Sequence, residues 1–173
     1  INHSEQVWVN DITYINVENE TAYLALVTDA YSKKIMGYSL KNNMKVELVK
    51  EALQMAVNCR DFKHQNIIHH SDRGIQYCST ESTNLLQKNN CMISMTQNSD
   101  PYENAIAERV NGILKTELIS NYYKDPLEAS QHIARCITIY NYKRRHSSLN
   151  WQVPEEVHKQ YGRQKKTWRN YYY

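Results

Sequence analysis

The chain has 173 residues, enough for one domain with a complete hydrophobic core. Hydrophobic residues make up 41% and charged residues 23%, and no apolar run approaches the roughly 18 residues a membrane span needs, so a soluble globular protein is expected. The formal charge of +3 hides an asymmetry: residues 1–140 hold 13 Lys/Arg against 16 Asp/Glu, whereas residues 141–173 hold 8 against 2. A basic end beside a mildly acidic body points to a polyanionic partner, with DNA or RNA foremost. Cysteines at 59, 78, 91 and 136 form no Cys-x-x-Cys pair, which argues against a zinc knuckle and a disulfide framework and for reduced thiols in the cytoplasm. The chain opens on Ile1 with no basic-then-apolar leader, and reads as a piece of something longer.

In chain order, Val7 to Ile15 is rich in β-branched and aromatic residues and predicts a strand, with a turn over 16–20 and further strands at Tyr23 to Val27 and Ile35 to Leu40. These make an antiparallel meander. After Asn42 and Asn43, which can cap a helix, Leu48, Val49, Ala52, Leu53 and Ala56 fall at helical spacing and predict a helix over 44–58. Ile67 to His70 predicts a strand leading into a loop at Ser71 to Gly74, followed by a helix over 80–89 and a short strand at Met92 to Met95. Strands alternating with helices in this half imply parallel pairing.

A long helix is predicted from Pro101, with Asp100 as N-cap and Glu103 in the first turn. Its apolar stripe is Ile106, Val110, Ile113, Leu114 and Leu118, and Asn104, Glu108, Asn111 and Lys115 recur along a polar face. A last helix is expected over 126–142, from Ala129, Ile133, Ile137 and Tyr140. The expected organisation is one domain over 1–157 with a basic aromatic tail over 158–173.

Three acids stand out. Asp11 lies within an apolar strand, where a charge is costly without a cation. Asp72 closes the 67–70 strand, and Glu108 follows after 35 intervening residues on the long helix. Carboxylates gathered from separate rigid elements suit Mg²⁺, which takes oxygen donors, and a two-ion site for phosphoryl transfer needs no covalent nucleophile. Scattered acids are more often simply solvated, so the surrounding residues matter.

Those residues fall into blocks: Trp8-x-x-Asp11-Ile12-Thr13-Tyr14-Ile15; Val27-x-Asp29 with Ser32; His69-His70-Ser71-Asp72-Arg73-Gly74-x-Gln76-Tyr77; Pro101-Tyr102-x-Asn104-Ala105-x-Ala107-Glu108; and Tyr140-Asn141-x-x-Arg144-x-His146-x-x-Leu149 with Pro154. Over about residues 7–157 the chain closely resembles bacterial insertion-sequence transposases of the retroviral-integrase-core superfamily. The resemblance implies an α/β, ribonuclease-H-like three-layer α/β/α fold with a five-stranded mixed sheet. It implies Mg²⁺-dependent nicking of DNA at element ends and transfer of the freed 3′-hydroxyl into target DNA, with Mn²⁺ able to substitute and two ions in the active complex. Asp11, Asp72 and Glu108 match the family's catalytic, metal-binding triad one by one. Glu103, Lys33 and Arg109-Val110 depart from the family's common residues, and none removes a metal ligand. The implied partners are the element's terminal repeats and a target duplex, with a homodimer or larger multimer in the synaptic complex.

Arg73 and Lys115, close to the acids, and Arg144 and Arg145, after the last helix, are the expected DNA contacts, each against the plainer reading of a solvated or ion-paired cation. His69 and His70 are adjacent strand residues that point to opposite faces, and a packed or hydrogen-bonded role is expected for both. The rival functions are a ribonuclease-H-type nuclease that hydrolyses without joining and an inactive core kept as a DNA-binding or oligomerisation module.

Overall fold

The computed structural model describes residues 1–71, 79–95 and 101–160. Asp72 and Arg73, the Asp100 cap, Cys78 and the tail from residue 161 lie outside the described residues.

Five strands form one mixed sheet in the order β3-β2-β1-β4-β5: β1 (Val7–Val17), β2 (Glu20–Asp29), β3 (Ile35–Lys41), β4 (Ile67–Ser71) and β5 (Cys91–Met95). The first three are antiparallel, while β4 pairs parallel with β1 and β5 parallel with β4. Each parallel return is bridged by a helix, as parallel pairing requires: α1 (Val46–Asn58) and α2 (Thr80–Lys88). The β1–β2 turn is tighter than the 16–20 expected, because the strands run on to Val17 and Glu20 and Asn19 takes the left-handed conformation (φ 61°) that asparagine tolerates. Helix α1 starts at Val46, two residues later than expected. Its N-cap residue is Lys45, which makes no side-chain cap bond, while Asn43 Oδ1 accepts from the Lys45 N–H at 3.3 Å.

The strand period of two separates the faces. On β1, Ile15 and Val17 join Leu24, Leu26, Val110, Leu114, Ile133 and Tyr140 in one core, beneath α3 (Pro101–Ile113) and α4 (Pro126–Tyr142). Trp8 lies in the opposite core with Val27, Leu48, Leu53 and Leu86, beneath α1 and α2. Helices thus cover both faces, the expected three layers. Each fully buried leucine contributes about 1.5–3 kcal/mol. Close approach of α1 to the sheet depends on Gly37 of β3: a Cβ there would stand 2.1 Å from the Ala52 carbonyl oxygen and 2.6 Å from the Ala56 nitrogen.

After Ile113 the long helix changes to a π-helical turn over Leu114–Leu118, closed by the Ile119 N–H donating to the Leu114 carbonyl at 2.7 Å. The apolar periodicity gives no sign of this. Helix α4 spans the expected 126–142, capped by Asp125 accepting from the Glu128 N–H, with Pro126 at its first turn. A short helix, α5 (Pro154–Lys159), carries the fully buried His158, so the body continues past the expected boundary at residue 157.

His158 belongs to a buried charged cluster. Glu5, itself fully buried, accepts from Arg60 Nε at 3.0 Å and from the Asp61 N–H at 2.6 Å, and lies 3.4 Å from His158 Nε2. Asp29 accepts from the Glu5 and Ser32 N–H groups, and Ser32 Oγ lies 3.0 Å from His158 Nδ1. This cluster ties the entry to β1, the exit of α1 and α5 into one unit.

Candidate active site

Helix α3 crosses β1 with its axis matched to the strand. Ala107 packs near Val9, and Asn111, four residues on, reaches Asp11, two residues on. Four helical residues rise about 6 Å and two strand residues about 6.8 Å, so one face of α3 keeps step with one face of β1.

At this crossing Asn111 Nδ2 donates to Asp11 Oδ2 at 2.5 Å, and Asp11 Oδ1 accepts from the Ile12 N–H at 2.9 Å. These two donors help to orient the half-buried carboxylate. A carboxylate only accepts, which sets the Asn111 amide and turns its Oδ1 away. That oxygen is buried and finds no hydrogen-bond partner among the described residues. Glu108 sits three residues before Asn111 on the adjoining, exposed side of α3.

Asp11 and Glu108 thus lie on two elements joined by the Asn111 contact, and β4, with His70 opposite Val9, runs parallel beside β1 until Ser71. Asp72, the next residue in the chain, lies outside the described residues. Among the described residues no three His, Cys, Asp or Glu side chains gather closely enough to hold a metal. The candidate ligands described, Asp11 and Glu108, are oxygen donors, which fits a hard divalent cation.

The sequence reading put Asn111 on a polar face with Glu108 and Lys115, and the structure buries it, at 6% exposure. The row lies beside the apolar stripe, and a polar residue can be buried there because the strand opposite offers a carboxylate. The signal was an asparagine three residues after Glu108, whose meaning depends on what faces it. His69 and His70 are buried as expected. His69 contacts Asn10, and burial lowers its pKa to about 4, so it is neutral at neutral pH. His70 lies 3.4 Å from Ser94 Oγ.

Of the expected DNA contacts, Lys115 is exposed on the π turn. Arg144 holds Glu117 through two bonds of 2.7 and 2.5 Å. Arg145 is exposed and donates to the Trp151 carbonyl at 3.0 Å. Arg73 lies outside the described residues.

A five-stranded mixed sheet with helices on both faces is a ribonuclease-H-like α/β fold, and comparison with known proteins assigns the family. Family profiles described as "Integrase core domain" match residues 2–101 and 89–154. The chain belongs to this integrase core domain family. It is 35% identical over 156 residues to the transposase for insertion sequence element IS904 of Lactococcus lactis, covering 89% of this chain and 61% of that protein. To a 31 kDa protein of insertion element IS600 from Shigella sonnei it is 36% identical over 158 residues, covering 90% and 58%. The chain therefore spans about three fifths of the length of these relatives. Among solved structures, the HTLV-2 integrase catalytic core domain in complex with magnesium, in its dimeric form, superposes with a TM-score of 0.70 at 17% identity, covering 91% of this chain and 98% of that one. A chain of the simian T-cell lymphotropic virus intasome superposes with a TM-score of 0.76 at 19% identity, covering 91% and 55%. No helix among the described residues is long and apolar enough to cross a membrane.

Proposed function

We propose that this chain is the catalytic core of a DNA transposase that cuts strands at element ends and joins the freed 3′-hydroxyl to target DNA. The observation that carries the reading is the Asp11–Asn111 contact, which joins the strand bearing one candidate ligand to the helix bearing another, in a chain related to insertion-sequence transposases.

In this reading Asp11, Asp72 and Glu108 hold two Mg²⁺ ions, with Mn²⁺ as a substitute. The ions would supply charge stabilisation for the attacking and leaving oxygens of an in-line displacement. The polypeptide's own part is positional. Asn111 holds the Asp11 carboxylate through one oxygen, and pairing with β2, which sets Asp11 opposite Leu26, keeps its backbone from shifting as the substrate arrives. Arg73, Lys115 and Arg145 meet DNA phosphates, whereas Arg144 acts first through its pair with Glu117. The partners are the element's ends and a target duplex, brought together by a dimer or larger multimer in the cytoplasm, at the nucleoid.

Labelled duplex ends incubated with the chain and Mg²⁺ test the reading. Joined products support it, shortened strands without joining indicate a nuclease, and DNA bound but unchanged indicates a binding module.

A further inference from the structure

Between α3 and the segment that follows α4 lies a pocket of about 560 Å³. The volume falls within the roughly 300–1,000 Å³ typical of small-ligand sites. Lys33, Arg109, Tyr140, Arg145, His146 and Trp151 bring cations and aromatic rings to a lining whose floor is aliphatic, with Ile106, Val110 and Ile113 of α3.

Two of these side chains are buried with a polar atom unsatisfied. Tyr140 is 0% and His146 5% exposed, and Tyr140 Oη and His146 Nε2 find no hydrogen-bond partner among the described residues. Such atoms are costly unless something meets them. Arg144, anchored by Glu117, lies 3.2 Å from His146 Nδ1 and can only donate, so the ring's proton sits on Nε2. Burial and the neighbouring Arg144 charge bring the His146 pKa down to about 4, leaving a neutral ring, while burial pushes Tyr140 up and keeps its hydroxyl protonated. The pocket therefore offers an imidazole N–H, a phenol O–H and guanidinium groups: donors waiting for an anionic acceptor.

Trp151 adds a stacking surface. It stands 66% exposed at a left-handed φ of 62°, a conformation that is strained for a bulky residue. Its N–H donates to the His146 carbonyl at 2.9 Å and its own carbonyl accepts from Arg145 at 3.0 Å. The backbone is pinned on both sides while the indole stays in solvent. Cations beside an exposed ring are how proteins hold unpaired nucleotides.

We propose that this pocket seats one nucleotide of a DNA strand drawn out of the duplex, its phosphate held by Arg109, Tyr140 and His146 and its base laid on Trp151. The proposal rests on the reading of the chain as a DNA-acting core and adds to it a site for unpaired DNA next to the helix that carries Glu108. An enzyme that works at strand ends gains register by gripping a frayed nucleotide, because stacking on an aromatic ring tolerates any base.

The test measures anisotropy of two labelled DNAs, a blunt duplex and the same duplex with a short single-stranded overhang, binding to the 173-residue chain. The chain is expected to favour the overhang by about tenfold, the worth of one stacked base. Trp151→Ala removes that preference and leaves blunt-duplex binding unchanged. Tyr140→Phe lowers it about threefold, and because the hydroxyl has no partner within the described residues its melting temperature should match wild type. An overhang preference that survives both substitutions, or equal binding of the two DNAs by wild type, overturns the pocket and leaves the DNA reading standing. Failure to bind either DNA overturns both.

Discussion

Asn111 on α3 donates to Asp11 on β1 at 2.5 Å, and this bond ties the helix bearing Glu108 to the central strand. Its two ends differ in kind: the carboxylate is a candidate metal ligand, and the amide is a positioning group whose oxygen remains buried and unsatisfied among the described residues.

Asn111→Ala removes the bond to Asp11 Oδ2 and, with it, the buried amide oxygen. Groups that orient a metal ligand typically contribute 10–100-fold in metal affinity or activity. Strand joining is expected to fall by about that factor, with Mn²⁺ titration by calorimetry showing a parallel loss in affinity. An unchanged affinity would reduce Asn111 to a packing role.

Gly37→Ala places a methyl group against backbone atoms of α1, at 2.1 Å from Ala52 O and 2.6 Å from Ala56 N. No side chain can rotate away, so α1 must lift from β3. Overpacking of this kind costs about 1–3 kcal/mol, which lowers the melting temperature of a chain this size by about 2–12 °C. Scanning calorimetry reads it, and a melt matching wild type would contradict the packing described here.

Protonation shapes stability on both sides of neutrality. Burial lowers His69 and His146 from 6.5 to about 4, so the unfolded chain takes up these protons first as the pH falls. Stability is expected to decline from about pH 6.5 toward pH 4. Burial alone would lower His158 too, but its bonds to Asp29 and Glu5 prevail and raise it above 6.5. Its contribution is complete below 6.5 and fades as the pH rises through the folded value. Urea midpoints across pH should therefore peak near neutrality, and His158→Gln should abolish the alkaline decline. A variant with the same alkaline limb would show that other groups set it.

Glu5 and Arg60 are paired with almost no solvent contact, their side chains 0% and 3% exposed. Glu5→Ala strands the guanidinium and is expected to cost about 3–5 kcal/mol by urea unfolding. A single variant as stable as wild type would mean the pair is dispensable.

Much of this architecture was legible in the sequence, for reasons specific to each element. The meander from Val7 to Leu40 showed itself through β-branched runs broken by polar turns, and α4 through Asp125, Pro126 and a regular apolar stripe. Asp11 drew notice because a charge amid valines and isoleucines needs a reason. Other features depended on partners far along the chain. Glu5, Arg60 and His158 are polar residues at wide separations, and only the fold brings them together. Asn111 has the spacing of a surface residue until Asp11 is set opposite. The π turn at Leu114–Leu118 leaves the apolar spacing almost unchanged, and nothing in the sequence marks the left-handed backbone of Trp151.

The central claim is that Asp11, Asp72 and Glu108 close around divalent metal. Crystals of the chain soaked in Mn²⁺ and measured at the manganese edge test it most directly. The account predicts anomalous peaks within coordination distance, roughly 2.0–2.3 Å, of carboxylate oxygens from all three residues. Ordered density for the three side chains, far apart and with no manganese between them, would contradict it.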